Sequence, residues 1–167
     1  MKTNIIFLDI DGVLNAEDDF GPGKENPHIG HNRGISIAKV KLLKQIVDKT
    51  ESRIVLVSTW KRRYVKYLDN HEDEVGEYLL NTLKEIGLSI YDTTIRYDFD
   101  DSKSRGLEIS LWLIDHKDEV SNWILIDDDE RIDYEKFNVL SHLIKTSPYT
   151  GITNEIVETA IKTLLKH

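Results

Sequence analysis

Two carboxylates, Asp9 and Asp11, stand two residues apart near the end of the stretch NIIFLDIDGVL (4–14), immediately before a glycine. A buried apolar run that ends in paired acids puts negative charge at the rim of a sheet, where like charges repel unless something positive lies between them. Two other apolar runs end comparably. RIVLVST (53–59) closes on Ser58 and Thr59, and WILIDDD (123–129) closes on Asp127, Asp128 and Asp129. Five acids sharing one cleft require a hard cation, and oxygen-only ligands select Mg²⁺ rather than zinc. A metal alone does not require two carboxylates on one turn. With the turn freed by Gly12, Asp9 points into the cleft, while Asp11 offers its backbone carbonyl to the metal and keeps its side chain for moving a proton. That is a nucleophile beside a general acid/base.

These groups meet only if their strands lie side by side. Residues 4–9 read as a strand because the run is short, rich in Ile and Phe and bounded by an Asp-Gly turn, and its near-continuous hydrophobicity implies burial on both faces. The runs 53–59 and 123–129 read the same way; LSIYD (88–92) is a shorter strand and SHLIKT (141–146) a weaker fifth. Between them fall helical patterns. Residues 36–49 put Ala38, Leu42, Leu43, Ile46 and Val47 on one face behind Ser36 as N-cap. Asn70 and the acids 72–74 suit the start of a helix that Gly87 ends, Leu107, Leu111 and Ile114 mark another from 105 to 117, and a last helix follows Thr153. Strands alternating with helices predict an α/β fold, a doubly wound Rossmann-like parallel sheet of about five strands in a single domain spanning 1–167. Ligands then sit at the carboxyl ends of the strands, where the acids and the Ser-Thr pair converge.

The chain has 167 residues, no cysteine and a formal charge of −8. Without cysteine there is no disulfide framework, thiolate zinc site or cysteine nucleophile. Net acidity argues against a general nucleic-acid coat, although WKRRYVK (60–66) is a local basic run. The N-terminal apolar run is too short for a signal peptide or membrane span, so the protein is read as cytoplasmic with no membrane partner.

The residues resemble the haloacid dehalogenase (HAD) superfamily in its phosphatase branch. FLDIDGVLN is similar to its first motif, IVLVST to its second, a basic residue in SKSRGLEI to its third and ILIDDD to its fourth. VSTW, RGLEISLWL and TSPYTGIT resemble more narrowly a small capless group associated with RNA-repair proteins. The resemblance implies a Mg²⁺-dependent phosphatase in which Asp9 attacks phosphorus to form an aspartyl-phosphate. Asp11 would protonate the leaving oxygen and later activate water. Ser58 or Thr59 would hydrogen-bond the phosphoryl group, and Arg105 or Lys103 would supply the cation. Asp128 would bind Mg²⁺ with Asp127 supporting, so that the metal set is drawn from Asp9, Asp11, Asp127 and Asp128. About nineteen residues separate the first strand from its helix, and the later insertion point is mostly helix, so no large cap domain fits. An open cleft suits a phosphate on a macromolecule or a bulky substrate, since small metabolites usually require a lid to exclude water; the expected partner is a phosphorylated substrate, a small molecule or a nucleic-acid end.

Simpler readings compete at some positions. WKRRYVK reads as a solvated helix start, His28 and His31 as ordinary loop residues, and Trp112 and Trp123 as packing; Trp60, next to the Ser-Thr pair, is a candidate for base stacking or for lining the entrance. An EF-hand is excluded because its loop needs acids at three alternating positions after a helix. A receiver-like phosphoacceptor module shares the sheet and acidic pocket, but it places the acid cluster after strand one and the lone acceptor after strand three, the reverse of the order here. A non-catalytic binding module on the same fold is the remaining rival.

Overall fold

The structure, a computed structural model, describes residues 2–98 and 104–166. The first strand, β1 (Thr3–Leu8), leads through a 3₁₀ turn into a small antiparallel hairpin, β2 (His28–Ile29) and β3 (Asn32–Arg33), then α1 (Ile37–Thr50). The chain continues through β4 (Arg53–Leu56), α2 (Trp60–Asn70), α3 (Glu74–Glu85), β5 (Ile90–Thr93), α4 (Arg105–Asp115), β6 (Val120–Asp127), β7 (Leu143–Lys145) and α5 (Asn154–Leu164). The main sheet has the order β5-β4-β1-β6-β7, and every pairing in it is parallel. The doubly wound α/β architecture expected from the alternation of strands and helices is what the chain adopts. Because β1 is flanked by β4 and β6, the order reverses at the central strand, the point at which such sheets bind ligands.

Strand periodicity divides the core into two. Ile6, Leu8, Ile54, Leu56, Ile124 and Ile126 face one side and pack with residues of α1, α3 and α5, including Leu43, Leu79 and Ala160. Ile5, Phe7, Val55 and Leu125 face the other, against Ile109 and Trp112 of α4 and Tyr134 from the segment after β6. Trp112 and Trp123 both meet Phe7 edge-on, at centroid distances of 5.3 and 5.6 Å, which accounts for them as packing.

Register places the chemistry. Leu8 is paired with Leu56 on one side and Ile126 on the other, so Asp9, Val57 and Asp127 follow at one level, tied by Asp9 N–H to Ile126 O and Val57 N–H to Leu8 O. Caps set the helix starts. Ser36 Oγ accepts from Lys39 N–H, Thr153 Oγ1 from Ile156 N–H, and Asp73 from the amides of Val75 and Gly76.

Some boundaries differ from the sequence pattern. Asn70 ends α2 rather than opening α3, because Asp73 is the better-placed cap. The fifth strand shrinks to three residues behind a 3₁₀ turn at Leu140–His142. The basic run 60–66 is helical, but Lys61 is buried instead of solvated. Among the described residues, neither the interval from 9 to 36 nor that from 94 to 104 holds a cap domain; the first carries only the turn and the hairpin. No helix there is long and apolar enough to cross a membrane.

Candidate active site

At the carboxyl edge of the sheet, carboxylate oxygens of Asp9, Asp127 and Asp128 lie within 4.8 Å of one another. Arg105, at the start of α4, reaches two of them: its Nη1 is 2.7 Å from Asp127 Oδ2 and 3.2 Å from Asp9 Oδ2. Asp127 is fully buried and heavily engaged. Tyr134 donates its hydroxyl to Oδ2 at 2.5 Å, and the amide of Asp129 donates to Oδ1. The two acids beside Arg105 therefore titrate in opposite directions. Burial pushes Asp9 up to about 7, with Arg105 opposing and the charges of Asp127 and Asp128 adding. Burial also opposes ionisation of Asp127, but Arg105 and the hydrogen bonds outweigh it and hold this carboxyl below its ordinary range. Asp128, half-buried, is raised by desolvation and by Asp127.

Gly12 makes this packing possible. Its φ of +74° lies in the left-handed region, and a Cβ there would stand 2.3 Å from the Asp128 carboxyl carbon. Thr146, after β7, fixes the same turn by donating Oγ1–H to Gly12 O at 2.7 Å.

Asp11 stands apart from the acidic triad. Its exposed carboxylate accepts from Asn15 Nδ2 at 2.9 Å and from Trp60 Nε1 at 3.1 Å, while Asn15 Oδ1 accepts from Gly12 N–H. The metal role expected of Asp11 concerned its backbone carbonyl; the side chain is oriented by two N–H donors at the mouth of the cleft. Trp60 is only 8% exposed; its ring edge is turned to Asp11, and it lines a cavity beside the cleft, which fits the entrance-lining reading. Replacing Trp60 with Phe removes this donor and is expected to cost about 0.5–1 kcal/mol with the fold retained; an unchanged denaturation midpoint counts against the hydrogen bond.

Of the two strand-end hydroxyls, Thr59 is exposed and lines the cleft with Asp9, Asp11, Arg105 and Asp128, a cavity of about 650 Å³. Ser58 is 1% exposed, and its Oγ accepts from Trp60 N–H at 3.3 Å. Of the two candidate cations, Arg105 is in contact with Asp9; Lys103 lies outside the described residues.

A second buried pair lies beneath the site. Lys61 Nζ contacts Glu108 Oε2 at 2.7 Å, and the same oxygen accepts from Thr94 Oγ1 at 2.9 Å. Both charges are almost fully buried, which ties the first turn of α2, bearing Thr59 and Trp60, to the first turn of α4, bearing Arg105. Asp133 completes the α4 start, accepting from Leu107 N–H at 3.1 Å.

The donor set fits Mg²⁺: hard carboxylate oxygens from three acids brought within 4.8 Å of one another, with no thiolate or imidazole within the triad. Sequence reasoning missed Asn15, Tyr134 and Thr146. Asn15 had a signal in DGVLN, since an amide four residues after Asp11 can close the turn; the others come from irregular segments.

No curated protein and no solved structure was found to match the chain. A family model described as the HAD domain in Swiss Army Knife RNA repair proteins matches residues 5–157, which span all the motif residues named above. With its parallel sheet, its acidic strand ends and this match over most of its length, the chain belongs to the family of HAD domains in Swiss Army Knife RNA repair proteins, within a hydrolase and phosphatase superfamily.

Proposed function

We propose that the protein is a Mg²⁺-dependent phosphomonoesterase working through an aspartyl-phosphate, and that its substrate is the phosphorylated end of a nucleic acid. The observation that carries this reading is Asp9 itself, buried at the end of the central strand, against Arg105 and within the acidic triad. Asp9, Asp128 and the Asp11 carbonyl are the groups that would hold the ion, with Asp127 anchoring Arg105. When bound, Mg²⁺ neutralises the carboxylates and draws charge from the phosphoryl oxygens.

The steps balance on the chain's own groups. An Asp9 carboxylate oxygen attacks phosphorus, and the ester P–O bond breaks as Asp11 gives its proton to the leaving oxygen. Water then loses a proton to Asp11 and attacks the same phosphorus, and the acyl-phosphate P–O bond breaks to free phosphate and Asp9. Arg105 offsets the charge that develops on the phosphoryl oxygens, and Thr59 at the cleft wall is placed to hydrogen-bond one of them. Asp9 must be ionised to attack, so its elevated pKa makes activity depend on both Arg105 and the ion.

The open cleft supports a bulky substrate, and the family's association with RNA repair proteins supports a nucleic-acid end. The test is hydrolysis of p-nitrophenyl phosphate and of 5′- and 3′-phosphorylated oligonucleotides, with Mg²⁺ or EDTA. We expect Mg²⁺-dependent turnover, abolition by EDTA, and a phosphoryl adduct on the peptide containing Asp9 after acid quench. Undiminished hydrolysis in EDTA refutes the mechanism.

A further inference from the structure

Next to the catalytic cleft lies a second cavity of about 270 Å³, sharing Asp11, Arg33 and Thr59 with it and adding Asn32, Trp60 and Arg63. Charge changes sign between the two. The cleft is lined by five carboxylates and three arginines, whereas the adjoining cavity has two arginines, Arg33 and Arg63, and Asp11 as its one acid. A region that is acidic where a cation belongs and basic one step further along fits a ligand with two phosphates, only one of which meets the metal.

Both arginines are oriented by neighbouring groups. Arg33 sits on β3, whose hairpin closes through Gly30 at φ +55°, and its guanidinium lies 4.6 Å over the Phe20 ring. Its Nη1 and Nη2 clasp the two carboxylate oxygens of Glu17 at 2.6 and 3.1 Å, a pair about half exposed on both sides. Arg63, on the second turn of α2, is held through Nε by Asp73 Oδ2 at 2.5 Å, with its side chain 48% exposed. Asp73 is buried as the α3 cap, so it anchors Arg63 without competing for the cavity. A fork-on-fork arginine–carboxylate pair has the geometry with which arginine takes phosphate, and in solvent such a pair contributes little, so exchanging one anion for another costs little.

We propose that Arg33 and Arg63 form a subsite for the phosphodiester adjoining a terminal phosphate, and that Glu17 is a resident carboxylate this phosphodiester displaces from Arg33. The assignment rests on the phosphatase reading above for the position of the terminal phosphate at Asp9, and it narrows the substrate to a polynucleotide end over a free phosphate ester. Arginine contacts to a phosphodiester carry no base information, so recognition through this subsite is independent of base sequence.

Binding to the inactive Asp9→Asn protein tests this without requiring turnover. The probes are fluorescent hexaribonucleotides phosphorylated at either end, competed by inorganic phosphate or by a nucleoside 3′,5′-bisphosphate. At least one hexamer is expected to bind about 10-fold or more tightly than inorganic phosphate, regardless of its bases. Arg33→Gln or Arg63→Gln should each weaken that hexamer about 5-fold or more, with the slope of log affinity against log salt flattened by about 0.7 once the phosphate contact is lost. Glu17→Gln should tighten it, and Arg63→Lys, retaining the cation, should lose less than Arg63→Gln, separating charge from any disturbance of the α2–α3 junction. The subsite is overturned if neither hexamer outbinds inorganic phosphate, if the Gln variants bind unchanged, or if the bisphosphate, which carries both phosphates, competes no better than inorganic phosphate. Failure of the wild type to hydrolyse p-nitrophenyl phosphate strikes the phosphatase reading and leaves this binding result readable on its own.

Discussion

Asp9→Asn is expected to reduce turnover by about 10³-fold or more and, without metal at pH 8, to melt at a higher temperature than the wild type. The first effect follows from removing the attacking oxygen. The second follows from linkage. An isolated carboxyl titrates near 3.8, and burial in the folded protein raises Asp9 to about 7. Between these values the folded state binds the proton that the unfolded state has released, so stability attributable to Asp9 is full below about pH 4 and is lost as pH rises toward 7. Above that, the ionised carboxylate costs on the order of a few kcal/mol. Asn carries no such charge, and Arg105 keeps Asp127 at 2.7 Å as its partner. Thermal melts in EDTA from pH 5 to 8 should show the wild type losing stability along a slope that the variant lacks, and Mg²⁺ should raise the wild-type Tm more than the variant's. Parallel profiles for the two proteins would dismiss the electrostatic account of Asp9.

Asp127→Ala is expected to have the largest effect on folding, about 3–5 kcal/mol, because it removes one member of a buried charge pair. Asp127 is 0% exposed and receives Arg105, the Tyr134 hydroxyl and the Asp129 amide. Its loss leaves a fully buried phenol without its acceptor and shifts Arg105 onto Asp9 alone. For a chain of this size that is a fall of roughly 10 °C or more in Tm, with activity lost as well because Arg105 is displaced. Tyr134→Phe, which removes only the hydroxyl, should cost about 1 kcal/mol. A denaturant titration in which Asp127→Ala is no less stable than Tyr134→Phe would show that the Asp127–Arg105 pair contributes nothing to folding.

The sheet was legible because strands buried on both faces are written as uninterrupted apolar runs, and those of β1, β4 and β6 end on residues that cannot continue them. The fifth strand was less so: only Leu143–Lys145 pair with β6, too few for a pattern to develop. The hairpin's strands are too short for hydrophobic alternation, and its one signal was Ile-Gly-His-Asn, with a glycine able to take φ +55° at the turn. Within the site, carboxylates were readable from spacing, since a strand end fixes where they point. Their partners were not. Tyr134 sits in an irregular stretch whose path is set by packing against Phe7 and Trp112, and the donor role of Trp60 depends on α2 turning its indole edge back toward a strand 49 residues earlier.

The Lys61–Glu108 contact makes the rear and the front of the pocket mechanically unequal. Two helix starts joined through a dry ion pair are tied to each other, so the Thr59 hydroxyl and the Arg105 guanidinium keep their spacing across the cleft. The β2–β3 hairpin, residues 28–33, is held instead by Ile29 on the core, by ring contacts to Phe20 and by the solvated Arg33–Glu17 pair. Altering what the pocket accepts is therefore a matter of rewriting residues 28–33, with the tie between the two helix starts left as it stands.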